Sequence, residues 1–205
     1  MSTPAFERAL SRALRYEGGF VDHPADPGGA TNQGVTQAAY DKWRTRQRLP
    51  TRSVREITPA EVRAVYHADY WLAIGGDELA PARAAALFDA AVNSGVSRAL
   101  GWDHASAGDW RLLTATRLAF MTSLETWPVF GRGWARRISS LIAEITEEER
   151  LQQLEEDITT PARTLVVHDH TGQEIANIPI TEDLLLRVTP TKAHIRPDPI
   201  GGTPA

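Results

Sequence analysis

Apolar positions along the first twenty residues repeat with a helical period. Phe6, Leu10, Ala13, Leu14 and Glu17 fall at i, i+4, i+7, i+8 and i+11, so they share one face of a helix. Thr3 supplies a side-chain cap, Pro4 suits the first turn, and Gly18-Gly19 ends the helix because glycine takes the left-handed conformation readily. Glu17 is thereby expected on the last turn, facing the core. Thr36 is expected to cap a helix carrying Tyr40 and Trp43. Thr58-Pro59-Ala60-Glu61 is a capping box, predicting a helix to about Trp71 with Val62, Val65, Tyr66 and Tyr70 inward. Pro81 opens another, with Leu87, Phe88, Ala91 and Val92 inside and Gly95 at its end. Asp109 is expected to cap a helix through Leu124, and a further helical stretch runs from Trp127-Pro128 to about Ile145.

The pattern then changes. Thr146 begins an acidic helix ending near Asp157, in which Leu151, Leu154 and Ile158 make a thin apolar stripe. Residues 164–168 and 175–180 read as two strands around a turn at Asp169 to Gln173. From Thr189 onward Pro, Gly and Thr dominate, as in a tail. The expected division is a helical lobe over 1–145, an acidic helical connector over 146–160, a β-hairpin appendage over 161–188 and a flexible tail over 189–205. The expected class is mostly α, with a loop and short hairpin between residues 18 and 35.

Composition narrows the chemistry. A chain of 205 residues, 42% hydrophobic, is long enough to bury a core. It has no cysteine, which removes disulfides, thiolate metal sites and cysteine nucleophiles. The six histidines show no paired ligand spacing, so no metal and no cofactor are expected. Met1 to Ala9 lacks a basic segment followed by an apolar one, and no run approaches a membrane span in length. The expectation is a protein made in the cytoplasm without a signal peptide. Net charge is −4, with 17 Lys and Arg against 14 Asp and Glu in residues 1–140, and 5 against 12 in residues 141–205. The front part suits an anionic polymer, and equally suits a mixed solvated surface. There is no dense basic stripe of the kind nucleic acid requires.

The chemically informative stretch runs from Glu17 to Gly34. A carboxylate closes a helix, and a second, Asp26, follows nine residues later in a loop of Gly, Pro and Asp. Thr31 and Asn32 come next. Glycosidic cleavage uses one protonated acid to donate to the leaving oxygen and one ionised group to activate water or stabilise the sugar cation. Burial and the negative end of a helix both favour the protonated form of Glu17, while Asp26 among polar loop residues stays ionised. Either Thr31 or Asn32 would hold the water, and Asp22 rivals Asp26. The same spacing also fits a solvated glutamate before a helix stop, followed by an ordinary turn.

The run EGGFVDHPADPGGATNQGVTQAAYDKW, residues 17–43, resembles the opening motif of glycoside hydrolase family 108, a family of muramidases. Its elements are E-G-G-aromatic, with Phe20 as the aromatic, then D-P-G-G, then T-N-x-G-V-T. AALFDAAVNSG at 85–95 and RLAFMTSLETWPVFGRGWARR at 117–137 also resemble the family, and the likeness covers about residues 5–140. The resemblance implies a lysozyme-like helical lobe, Glu17 as catalytic acid, and Asp26 and Thr31 as its partners. The Glu-to-Asp offset is similar to that of phage-type lysozymes, and the Asp-to-Thr offset is one residue shorter. Many relatives carry a longer segment, read as a peptidoglycan-binding module, between the second and third stretches. Only about twenty residues stand there in this chain, near residues 96–116.

The expected function is hydrolysis of the β-1,4 bond between N-acetylmuramic acid and N-acetylglucosamine in peptidoglycan, in endolysin-type lysis or wall penetration by a bacteriophage. The expected outcome is inversion, by analogy with phage-type lysozymes. Peptidoglycan strands are the expected partner, reached on the periplasmic side by holin-type release or from a virion. Asn32, Asp89, Asn93 and Trp71 are candidate substrate contacts. Asn93 also suits a plain helix C-cap, and Trp71 and Trp134 suit the core as well as a sugar face. Arg132, Arg136 and Arg137 would either contact acidic wall groups or form a solvated helix face. Two other readings stay open. One is a lytic transglycosylase, which needs no water-activating partner. The other is a virion tail or baseplate component that docks on tail proteins through residues 161–205.

Overall fold

The computed structural model describes residues 3–22, 29–159, 164–168 and 171–179. The chain divides into two units, Met1–Leu151 and Gln152–Ala205. The first is helical with one small hairpin, the lysozyme-like class that the resemblance implies.

Helix α1 (Pro4–Leu14) is capped by the Thr3 hydroxyl, which accepts from the Phe6 amide, and Pro4 occupies its first turn. A two-residue strand β1 (Thr31–Asn32) pairs antiparallel with β2 (Val35–Thr36). Helix α2 (Gln37–Arg46) starts under the Thr36 cap. Helix α3 (Pro59–Tyr66) starts at the capping box, with both reciprocal Thr58–Glu61 bonds present. It stops five residues before the expected Trp71, because His67–Trp71 widens into a π-helical turn, followed by a 3-10 turn at Leu72–Ile74. Widened turns of this kind reposition the side chains after them. Here the turn drives Trp71 fully into the core, where its indole N–H donates to Asp77 over 2.8 Å.

Helix α4 (Pro81–Ser94) is the centre of the lobe. Every residue from Ala84 to Ala91 is buried, so it is enclosed on all sides rather than amphipathic. Its alanines let α1 and α6 approach closely. Phe88 meets Phe6 and Trp71 edge-on at ring-centroid distances of 6.0 and 5.7 Å, contacts worth about 0.5–1.5 kcal/mol each beyond simple burial. Helix α5 (Val96–Ala105) follows directly after Gly95. Helix α6 (Trp110–Thr122) is capped by Asp109, as its sequence predicts.

Helix α7 (Trp127–Thr159) joins into one element the two stretches that the sequence separates at Thr146. Ile138, Leu141 and Ile145 make its buried stripe. Ion pairs fix it along α1: Arg12 reaches Glu144 at 2.9 Å and Glu148 at 2.7 Å. Trp110 and Arg111 of α6 both bond to Glu149.

In the second unit, β3 (Thr164–His168) pairs antiparallel with β4 (Glu174–Pro179), with Thr164 opposite Pro179 and an irregularity between Val167 and His168. Gly172 at the turn has φ +85°, which glycine tolerates. The tail expected over 189–205 lies outside the described residues. No helix among the described residues is long and apolar enough to cross a membrane.

Candidate active site

Glu17 stands three residues beyond the end of α1, a shorter helix than its periodicity predicts. The chain tightens there rather than unwinding: the Tyr16 amide donates to Ala13 over 3.1 Å and the Glu17 amide to Leu14 over 3.3 Å. This 3-10 continuation is a common way of satisfying terminal carbonyls. It keeps Glu17 close to the inner face of the lobe, with its side chain 21% exposed.

The β1–β2 turn closes over this glutamate. The Gln33 amide donates to the Gly18 carbonyl over 3.1 Å, and the Tyr66 hydroxyl donates to the Gln33 carbonyl over 2.9 Å. Gln33 and Gly34 have φ of +49° and +75°, the pair of positive values that a two-residue hairpin turn requires. Gly34 is needed for a second reason. A Cβ there would stand 2.8 Å from Glu17 Oε2 and overlap the Tyr66 hydroxyl. Burial, the charge of Glu17 and neighbouring Tyr70 push the Tyr66 hydroxyl well above its ordinary range, so it stays a donor.

A line of alternating charges reaches Glu17 from the other side. Asp89 is the one charged residue in the buried run of α4, and a buried carboxylate requires partners. Arg117 of α6 donates to its Oδ2 at 2.6 Å, and Arg137 of α7 donates to its Oδ1 at 2.9 Å. Arg137 also donates from Nη1 to Glu17 Oε1 at 3.1 Å. Arg117 donates as well to Asn93 Oδ1 at 2.9 Å. Burial disfavours both guanidinium charges. For Arg137 the carboxylates of Asp89 and Glu17 outweigh it and hold the group above its ordinary value. For Arg117 burial prevails over the attraction of Asp89 and the group lies below its ordinary value. Arg117 Nε and Arg137 Nη2 are buried without a partner among the described residues.

Beside Glu17 opens a hollow of about 280 Å³. Tyr16, Glu17, Asn93 and Arg137 make its polar lining, and Phe130, Gly133 and Trp134 of α7 make the rest. A groove of about 320 Å³ elsewhere, between Phe6, Trp43 and His67, is lined by no carboxylate. The hollow at Glu17 therefore combines an acid, an amide, a cation and aromatic faces, a set suited to a polar substrate with apolar faces.

Residues 10–95 match the family model described as Glycosyl hydrolase 108. This chain is a glycoside hydrolase of the muramidase type, similar to that family over the matched residues. Its activity is peptidoglycan hydrolysis of the lysozyme-like kind. Among solved structures it is similar to Brucella abortus SagA at 28% identity and a TM-score of 0.59, over 71% of this chain and 96% of that one. No curated protein matches the chain.

The family 108 segment brings some of the sequence-predicted residues together and separates others. Glu17 and Asn93 line one hollow, and no hydrogen bond from the Asn93 NH₂ is present among the described residues. Thr31 lies on β1, half-exposed, with its hydroxyl donating to the Gly29 carbonyl over 3.2 Å. Asp26 lies outside the described residues, and Asp22 is exposed. Three expected substrate contacts serve the fold instead. Asn32 is buried and its NH₂ donates to the Val54 and Arg55 carbonyls, both at 3.2 Å. Asp89 is consumed by two arginines, and Trp71 is fully enclosed. Of the three arginines near the start of α7, Arg137 turns inward to Glu17, while Arg132 and Arg136 are exposed.

Sequence reasoning missed the links from Asp89 to Arg117 and Arg137, and the inward part played by Tyr66. A signal for the first was present. A single Asp within the run A-A-A-L-F-D-A-A needs partners when it is buried, and a cationic side chain from another element is the strongest of them.

Proposed function

We propose that this protein cleaves the β-1,4 bond between N-acetylmuramic acid and N-acetylglucosamine, with Glu17 as general acid. The observation that carries the reading is the asymmetry of the Glu17 carboxyl. Oε1 is held by Arg137, while Oε2 accepts no hydrogen bond among the described residues. We place the catalytic proton on Oε2. Arg137 then fixes the carboxyl plane, and the proton is free to pass to the glycosidic oxygen of the leaving sugar. Departure of that sugar leaves an oxocarbenium-like centre that an ionised carboxylate and a water must meet from the opposite face. Asp26 is assigned to that role and Thr31 to holding the water, by their match to the family motif. An inverting outcome is part of the proposal, and its product is a reducing end.

Turbidity loss of purified peptidoglycan tests the assignment. Glu17→Gln keeps the size of the side chain and its bond to Arg137, but removes the transferable proton. It is expected to lower the rate by about 10²–10⁴-fold. Near-normal activity in this variant would rule out Glu17 as the acid. Anhydro-muramoyl ends in the digest, in place of reducing ends, would convert the reading to a lytic transglycosylase.

The setting we propose is phage-type lysis or wall penetration, with the enzyme reaching the periplasmic wall through a holin-type pore or from a virion. The resemblance to phage muramidases supports it. Co-purification with phage particles, against appearance only in late lysates, separates the two routes.

A further inference from the structure

We propose that Phe130, Gly133 and Trp134 of α7 form a saccharide-stacking subsite beside Glu17, for a β-1,4-linked N-acetylhexosamine chain. The inference rests on reading the Glu17 hollow as the glycan site, and adds to it the surface that holds the sugar.

Three observations converge on this edge of α7. First, large apolar side chains are exposed where the helix begins: Phe130 is 54% exposed and Val129 is 74% exposed. Adjacent exposed apolar side chains of this kind mark binding surfaces when they border a cleft. Second, the rings are arranged rather than scattered. Phe130 and Trp134 stand 5.8 Å apart with their planes at 33°, and Trp134 stands 6.2 Å from Trp127. Trp127 is itself held close over Gly131, where a Cβ would lie 2.5 Å from the indole. Trp134 therefore leans on a fixed neighbour and turns toward the hollow with Phe130.

Third, Gly133 has no explanation within the fold. A glycine inside a helix is destabilising relative to alanine. Gly131 two residues earlier is justified by Trp127 above it, but a Cβ at Gly133 would meet nothing within 4 Å. Gly133 lines the hollow together with the two aromatic side chains. Its missing side chain leaves room for an occupant to approach the helix backbone.

The chemistry selects the occupant. A pyranose ring presents axial C–H groups on its faces and polar groups on its rim. The faces match the rings of Phe130 and Trp134, which stack without directional polar demands. The rim meets the polar lining, where the Asn93 NH₂ suits the carbonyl of an acetamido group. A sugar seated over Gly133 lies in the same hollow as the unpartnered Oε2 of Glu17.

The test uses the full chain carrying Glu17→Gln, so that binding is read without cleavage. Its co-sedimentation with purified insoluble peptidoglycan is measured with and without a second substitution. Phe130→Ala is expected to weaken binding about tenfold, and Phe130→Trp to restore it. Gly133→Leu is expected to block binding by filling the hollow, while its melting temperature does not fall, since leucine favours helix and finds open space. In the catalytically intact protein, Phe130→Ala is expected to raise KM more than it lowers kcat. Binding and KM unaltered in both Phe130→Ala and Gly133→Leu would overturn the subsite while leaving the muramidase reading in place. A wild-type protein that neither binds nor cleaves peptidoglycan would overturn both.

Discussion

Glu17 and Glu61 are both glutamates held by arginine, with side chains 21% and 15% exposed, yet they differ in how completely they are satisfied. Glu61 accepts from Arg44 at 2.7 Å on one oxygen. On the other it accepts from Arg52, and from the amide and hydroxyl of Thr58, both at 2.9 Å. The Tyr40 hydroxyl joins the same two arginines at 2.9 and 2.7 Å. Among the described residues the Glu17 carboxyl has one bond, to an arginine that is shared with Asp89. At nearly equal exposure, one carboxylate is a finished structural joint and the other keeps an oxygen in reserve. A partly buried polar group left unsatisfied is costly, and such groups concentrate at functional sites. Satisfaction, more than burial, separates the two.

The comparison breaks most forcefully at Asp89. Asp89→Ala leaves Arg117 and Arg137, with side chains 1% and 6% exposed, without their shared counter-charge. Removing one partner of a buried pair costs about 3–5 kcal/mol. Urea denaturation is expected to show a loss of that size. Substituting one of the arginines of the Glu61 cluster, Arg52, whose side chain is 32% exposed, is expected to cost much less. Equal losses would mean that the line of charges behind Glu17 is no more buried in effect than the cluster at Glu61.

A smaller effect separates stability from activity. Gly34 and Gly108 both have positive φ, at +75° and +78°. Alanine at either is expected to cost about 1–2 kcal/mol in backbone strain. At Gly108 the added Cβ meets the guanidinium end of Arg83, which can move. At Gly34 it meets Glu17 and Tyr66. Thermal melts of the two variants should therefore be similar, while only Gly34→Ala loses most of its wall-degrading rate. Full activity in Gly34→Ala would show that the hairpin turn does not set the position of Glu17.

The elements that position Glu17 were largely legible in the chain, because their signals are local. Thr3-Pro4, Thr58-Pro59-Ala60-Glu61 and Asp109 act on amides within three residues, and each caps a helix as its composition predicts. Helix α5 has no such local signal, since Gly101 interrupts its pattern and it owes its place to packing against α4 and α6. The early stop of α3 at Tyr66 has no local signal either. Periodicity continues through Tyr70, and the wider turn goes with long-range contacts of Trp71, which meets Phe6 and Phe88 and donates to Asp77. At the site, Glu17 was visible from a motif, but its partners were not. Arg137 lies 120 residues away and Asp89 lies on a third element, so their meeting is a property of the packed lobe. Asn32 misled for the same reason. Its amide looks free in a polar loop, and only the fold brings the Val54 and Arg55 carbonyls within reach.

The smallest expected effect is a pH dependence at the finished joint. Burial pushes the Glu61 carboxyl up, but the Thr58 amide and hydroxyl and the charge of Arg52 outweigh it, so the group lies below its ordinary value. A carboxyl depressed in the folded state binds its proton more weakly there than in the unfolded chain. Its contribution to stability is therefore complete above the ordinary glutamate value and is lost as pH falls through the folded one. Glu61→Gln removes this contribution at every pH. Its melting temperature is expected to lie below that of wild type at pH 7, with the gap narrowing as pH falls below the ordinary glutamate value and the wild-type carboxylate takes up its proton. A gap of constant width over that fall would mean that the four donors around Glu61 do not favour its ionised form. The contrast with Glu17 would then have to rest on geometry alone.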